Sequence, residues 1–276
     1  MRRIIDKRQT KKIGKCIYCR RSDVQLSDEH ITPLGLSGKL VLVEASCASD
    51  AKITGELERR VLRGMWFAAR AALRTTTRHK KDREKHYPMV IERNGKPVKV
   101  YAPLEEHWKI IQLPIFPLPS HLDDRTYSDG IEYTSMDTYE LDERGVEVAA
   151  RFGASRVVAP EILAIDFARF IAKMAYGYAI EKYGLEAFEN IYVLSSILGQ
   201  SNDIGRWVGC PTTREFPIRE CNISVGFIIE SSRELIVKIK MFPRFDGVEY
   251  VIVVGKIKAV YRDFFLVRET FERKSG

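Results

Sequence analysis

The chain has 276 residues, 45% of them hydrophobic and 30% charged, with a formal net charge of +8. That balance gives no case for disorder, a collagen-like repeat or membrane residence, and the length suits a small module joined to a domain of ordinary size. The positive excess is confined to the first third: residues 1–21 carry nine basic and one acidic side chain, 22–58 two and seven, 59–85 ten and two, and 86–276 twenty-four and twenty-seven.

The opening MRRIIDKRQTKKIGK is cationic but lacks the apolar run of a secretory signal, so a cytoplasmic chain with reduced thiols is expected. Of five cysteines, Cys16, Cys19 and Cys47 cluster early, whereas Cys210 and Cys221 stand apart without ligand spacing. In a reducing compartment such a cluster asks for a metal rather than disulfides. CIYC, residues 16–19, is a knuckle whose spacing brings two thiolates to one tetrahedral ion from a tight turn. Twenty-eight residues on, ASCASD repeats the spacing with Cys47 and Asp50. A carboxylate is an acceptable but harder zinc ligand, which leaves three readings open: a Cys3Asp site, three thiolates completed by water, or no metal.

Between the knuckles lie Glu29 and His30 in DEHITP, a glycine-containing loop and the apolar strand LVLVEAS. A helix is expected from about Ile53 to Thr77, interrupted at Gly64. At roughly 100° per residue, Arg59, Arg63, Arg70 and Arg74 fall on one stripe, with Leu57, Val61, Met65, Ala68 and Ala72 opposite. Such a stripe can follow a phosphate backbone, because each neutralised phosphate releases a counterion. A solvated basic face is the plain alternative.

The order CxxC, acid-His-Ile-x-Pro, glycine loop, short strand, second knuckle and helix resembles the HNH endonucleases, over residues 16 to about 75. The resemblance implies a ββα-metal, treble-clef-like finger that cuts phosphodiesters, with structural Zn²⁺ on Cys16, Cys19, Cys47 and Asp50. It also implies His30 as general base and Glu29 as a ligand of a catalytic Mg²⁺ or Mn²⁺. The sequence departs from the family at Lys39, where a buttressing Asn is common, and at Ala51, where an Asn or His often follows the last cysteine. Glu58 is the substitute for the remaining ion ligand. It lies at i, i+4 from Thr54 beside the apolar face, and no base stands one turn away to pair with it.

Farther on, YPMVIERNGKPVKVYAP reads as a hairpin about an Asn94-Gly95 turn, LPIFPLPSH as a linker or edge crossing, and 161–184 as an amphipathic helix with Leu163, Phe167, Phe170, Ile171, Met174 and Tyr178 on one side. A short helix near 186–198 and the strands NISVGFIIE, ELIVKIKMF and VEYVIVVG complete an α+β reading of helices on an antiparallel sheet. The expected division is 1–78 for the finger with its basic flanks, 79–120 for a connector with the hairpin, and 121–276 for the α+β domain. No segment reads as a membrane span. The functional expectation is an HNH-type endonuclease acting on nucleic acid, DNA first. The alternatives are an inactive zinc-finger nucleic-acid-binding protein and a protein-interaction module; protein partners are undetermined, and a homodimer is compatible with the sequence.

Overall fold

The computed structural model describes residues 8–73, 75, 85–123, 125, 129–142, 144–212, 223–259 and 270–271, so that Arg74, Cys221 and the basic segments 1–7 and 76–84 lie outside the described residues. The chain is a mixed α+β protein. Strands β1 (Arg8–Lys12), β2 (Leu26–His30) and β3 (Leu40–Cys47) form a small sheet of order β1-β3-β2, followed by helices α1 (Ala48–Arg63) and α2 (Phe67–Ala72). The expected break falls at Gly64, whose N–H closes α1 on Arg60 O at 2.9 Å. Leu57, Val61, Met65 and Ala68 are buried as their spacing requires.

The hairpin is formed by β4 (His86–Arg93) and β5 (Lys96–Pro103). Asn94 and Gly95 supply the positive φ values, 50° and 70°, that a two-residue turn of matching twist requires. Strand β6 (Ile110–Ile115) pairs with β7 (Ser135–Glu140), and α3 (Gly145–Arg151) leads into β8 (Arg156–Val158), which joins the hairpin beside β4. The linker expectation for LPIFPLPSH is therefore corrected at its start. Leu113, Pro114 and Ile115 belong to β6, and Pro114 is accommodated because among the described residues this strand has a single neighbour and can forgo one ladder donor.

Helix α4 (Ala164–Tyr183) is the centre of the molecule. It is not merely one-sided: Phe167, Phe170, Ile171 and Met174 are buried, and so are Ala168, Ala172, Ala175, Tyr176 and Ala179 around the rest of its circumference. A helix apolar on most sides must be covered on most sides. Next come β9 (Phe188–Ile191), α5 (Leu194–Ile197), α6 (Ile204–Trp207) and β10 (Val208–Gly209), so the helix expected over 186–198 shrinks to one turn after a short strand. Strand β9 pairs with β13, a partner more than sixty residues away that local periodicity cannot reveal. The expected strands appear as β11 (Ile223–Ile229), β12 (Glu234–Met241) and β13 (Glu249–Ile257) in a sheet of order β10-β13-β12-β11-β14, β14 being Thr270–Phe271.

One apolar core runs from Cys16, Ile17, Leu42 and Leu57 through α4 to Ile239, Tyr250 and Val253. Trp66 makes edge-on contacts with Phe167 and Phe242, at centroid distances of 5.5 and 5.4 Å. Each such large side chain contributes roughly 1.5–3 kcal/mol by leaving water. The boundary expected at residue 78 is thus not a boundary of the core. A separate small cluster of Met89, Ile91, Ala102, Val148, Ala149 and Val157 holds the hairpin to α3. Among the described residues no helix is long and apolar enough to cross a membrane.

Candidate metal centre and the neighbouring carboxylates

The first knuckle is a tight turn, closed by Arg20 N–H on Cys16 O at 2.9 Å and tied to the small sheet by Ile17 N–H on Ala45 O at 2.8 Å. The second knuckle is the junction of β3 with α1: Cys47 is the last strand residue and the helix N-cap, and Asp50 lies in the first turn. These two pieces bring Cys16, Cys19, Cys47 and Asp50 together, with one ligand atom from each lying within 4.8 Å of all the others. The Cys19 and Cys47 sulfurs are 3.7 Å apart, and Asp50 Oδ2 is 3.1 Å from both Cys16 Sγ and Cys47 Sγ. This group can hold a metal ion.

Its electrostatics show why an ion suits it. Burial pushes the Cys16 thiol up to about 12, more than the backbone hydrogen bonds around it can offset. Burial also acts on Asp50, yet hydrogen bonds from the Cys19, Cys47 and Cys16 thiols hold its carboxyl below the usual range. Burial raises Cys47 as well, but the Ser49 hydroxyl and the Asp50 N–H outweigh it and leave that thiol lowered. The protonated thiols and the ionised carboxylate share protons as hydrogen bonds. A cation at their centre would replace those protons with metal–ligand bonds.

Glu29 and Glu58 are also brought together, one from β2 and one from α1, but around a group the sequence reading missed. Lys173 of α4, with its side chain 1% exposed, reaches Glu29 Oε1 at 2.7 Å and Glu58 Oε1 at 2.9 Å. Its ammonium also donates to the backbone carbonyl of His30. No base stands one helical turn from Glu58, yet it is ion-paired: its partner lies 115 residues away. Burial alone would lower the lysine, but the two carboxylates outweigh it and hold the group raised, so it is an ammonium throughout the physiological range. Tyr18 donates to Glu29 Oε1 at 3.1 Å, and burial, followed by the Glu29 charge, pushes its hydroxyl well up. A two-residue slip in the β2–β3 register between Ser27 and Glu29 accompanies the inward placement of Glu29. As arranged, the pair does not fit a divalent ion, because the position between the carboxylates holds Lys173 Nζ. His30 is partly buried, with Nε2 shielded from solvent.

A signal for Lys173 was present. Asp166, Arg169 and Lys173 are spaced i, i+3 and i+7 in an otherwise apolar helix, so they share one face. Asp166 takes a two-pronged bond from Arg60, at 2.6 and 3.0 Å, and α1 thereby meets α4 through Arg60–Asp166 and Glu58–Lys173.

The arginine stripe is only partly on the surface. Arg59 and Arg63 are exposed, Arg59 pairing with Glu56 at 2.6 Å. Arg70 turns inward and donates to Gly35 O at 2.8 Å and Leu62 O at 3.1 Å. Gly35 allows that approach, since a Cβ there would stand 2.8 Å from the guanidinium and 2.9 Å from Leu62. Arg70 is therefore a structural clasp between the glycine loop and the helix break, contrary to the expected outward stripe; Arg74 lies outside the described residues. Cys210 is buried, as expected of an ordinary thiol. Comparison with protein-family models, with curated proteins and with solved structures finds no match for this chain.

Proposed function

We propose that the chain is a nucleic-acid-binding protein built on a zinc-pinned ββα finger of the HNH kind. The observation that carries this reading is the cluster of three thiols and one carboxylate that joins the turn at Cys16–Cys19 to the junction of β3 with α1. In a tetrahedron with Zn–S bonds of about 2.3 Å, neighbouring sulfurs stand about 3.8 Å apart. The 3.7 Å between Cys19 and Cys47 matches that spacing, whereas Asp50 Oδ2, 3.1 Å from both Cys16 and Cys47, would have to draw back by a few tenths of an ångström on binding. Cys16, Cys19, Cys47 and Asp50 would hold it, and its chemistry is structural: it ties the knuckle to the start of the helix that carries Arg59 and Arg63.

Nucleic acid as partner is supported by the charge of residues 1–21 and 59–85 around that unit. Beside the exposed face of α1 a groove of about 430 Å³ is lined by Lys52, Glu56, Arg60 and Arg169 among apolar residues. Asp166 neutralises Arg60 and Arg59 neutralises Glu56, so Lys52 and Arg169 supply the positive potential there.

A second reading, phosphodiester hydrolysis with His30 as base, is favoured by the convergence of Glu29 and Glu58 beside the His30 backbone. Binding without cleavage is favoured by Lys173, which already neutralises that pair, and by the shielding of His30 Nε2 from the water it would activate.

One experiment weighs both. In a salt titration of duplex DNA binding followed by fluorescence anisotropy, Arg59→Ala with Arg63→Ala is expected to make the log–log slope shallower by up to about 1.8, the equivalent of two phosphate contacts. An unchanged slope would show that α1 does not meet the backbone, and absence of binding at low salt would remove the reading itself. Plasmid incubated with the native protein and Mg²⁺ is expected to stay supercoiled. Nicking that EDTA stops and that falls by about 10² in His30→Ala would establish the hydrolytic reading instead.

A further inference from the structure

The Glu29–Glu58 pair has the composition of a divalent-cation site and the geometry of an ammonium site. We propose that Lys173 is the permanent cation of this pair, and that the pair accepts a divalent ion only when the lysine charge is removed.

Three features carry the proposal. An ammonium has three donors and no acceptor. All three are engaged, by Glu29, Glu58 and the His30 carbonyl, so the group sits in a complete tripod. The two carboxylate oxygens stand at 2.7 and 2.9 Å, which are hydrogen-bond lengths, whereas Mg²⁺ requires oxygens near 2.0–2.1 Å in an octahedron. Finally, the lysine cannot readily be pushed aside. It arises in the middle of α4 between buried Phe170, Ala172 and Met174, and its side chain is 1% exposed. An incoming ion would have to displace an ammonium whose side chain is 1% exposed. A fixed lysine in place of an exchangeable ion makes the junction of β2, α1 and α4 independent of magnesium. The inference goes beyond nucleic-acid binding and does not rest on it.

The test uses the full chain with zinc bound. Native protein, Lys173→Ala and Lys173→Met, each with and without Glu58→Gln, are titrated with Mn²⁺ while the free ion is followed by electron paramagnetic resonance. The native protein is expected to show no binding that depends on Glu58. Lys173→Ala, which opens space as well as removing charge, is expected to gain one bound Mn²⁺ and to lose it again when Glu58→Gln is added. Lys173→Met keeps more of the packing, and its melting temperature is expected to rise with Mn²⁺ while that of the native protein does not. A native site for Mn²⁺ that Glu58→Gln abolishes would overturn the proposal. So would a folded Lys173→Ala that takes up no ion. If Lys173→Ala folds only on addition of Mn²⁺ and only with Glu58 present, the proposal stands. If neither variant folds with or without the ion, the pair has no divalent alternative and the proposal fails. Gel-shift titration of the same samples with DNA reports on nucleic-acid binding separately.

Discussion

Cys16→Ser is expected to abolish tight zinc retention and to unfold the chain at temperatures the native protein withstands. A structural zinc contributes on the order of 10–16 kcal/mol of apparent binding energy in small finger peptides near neutral pH, and a hydroxyl is a poor replacement for a buried thiolate. Asp50→Ala is expected to have a graded effect, releasing zinc to a chromophoric chelator sooner than native protein. Asp50→Cys should release it later, because a softer ligand stands at the same place. Elemental analysis of the purified chain is the first check: no zinc, or equal retention in Asp50→Ala, would remove Asp50 from the ligand set. The shared core decides how far the damage spreads. Cys16 and Ile17 belong to the same apolar cluster as Phe167 and Tyr176, and Tyr176 donates to the Ile17 carbonyl. Loss of the knuckle is therefore expected to lower the melting temperature of the whole chain in one transition, rather than leave residues 121–276 untouched.

The second large effect concerns Lys173. Removing one partner from a buried ionic cluster leaves its counter-charges desolvated and alone, at a cost of about 3–5 kcal/mol. Lys173→Ala is expected to cost that much in urea denaturation when no divalent ion is present. Lys173→Met combined with Glu29→Gln and Glu58→Gln should recover much of the loss, because neutral groups then replace charges on both sides. A loss below about 1 kcal/mol in Lys173→Ala would show that water reaches the carboxylates freely. The pH dependence has a definite sign. The folded lysine is raised, so its contribution is fully present below the unfolded value of about 10.4 and declines only as pH rises through the higher folded value. The difference between native and variant is therefore expected not to shrink between pH 7 and 9 on the lysine's account.

Features with a short sequence range were readable before the structure. The Asn94-Gly95 turn lies between two apolar runs, the strands from Ile223 to Ile257 alternate with short turns, and the cysteine spacing points to one ion-sized cluster. In each case neighbours within a few residues define the geometry. The failures have long-range causes. Arg70 falls on the same helical stripe as Arg63, but the break at Gly64 redirects the chain and turns its guanidinium onto Gly35. Strand β9 owes its existence to an edge of β13. Glu58 lies beside the apolar face of its helix, but helix periodicity cannot name a partner on another helix. Pro114 reads as a breaker unless one knows that, among the described residues, its strand pairs on one side only.

The distance along the chain between Glu58 and Lys173 also has a consequence in time. The knuckles, β2, β3 and α1 are complete in sequence by residue 63, but the counter-charge of their inner carboxylates arrives 115 residues after Glu58. At roughly 5–20 residues per second, a ribosome takes on the order of 6–23 s to deliver it. During that interval the cysteines and Asp50 can already capture a metal, while Glu29 and Glu58 must stay hydrated and the inner face of α1 uncovered. The nascent chain thus passes through a stage in which its thiol end can be tied by a metal while its carboxylate end is open, a state that protease digestion of ribosome-held chains truncated near residues 120 and 220 would distinguish. Completion of the thiol and carboxylate cluster and closure of the fold are separated by the synthesis of everything between α1 and the middle of α4.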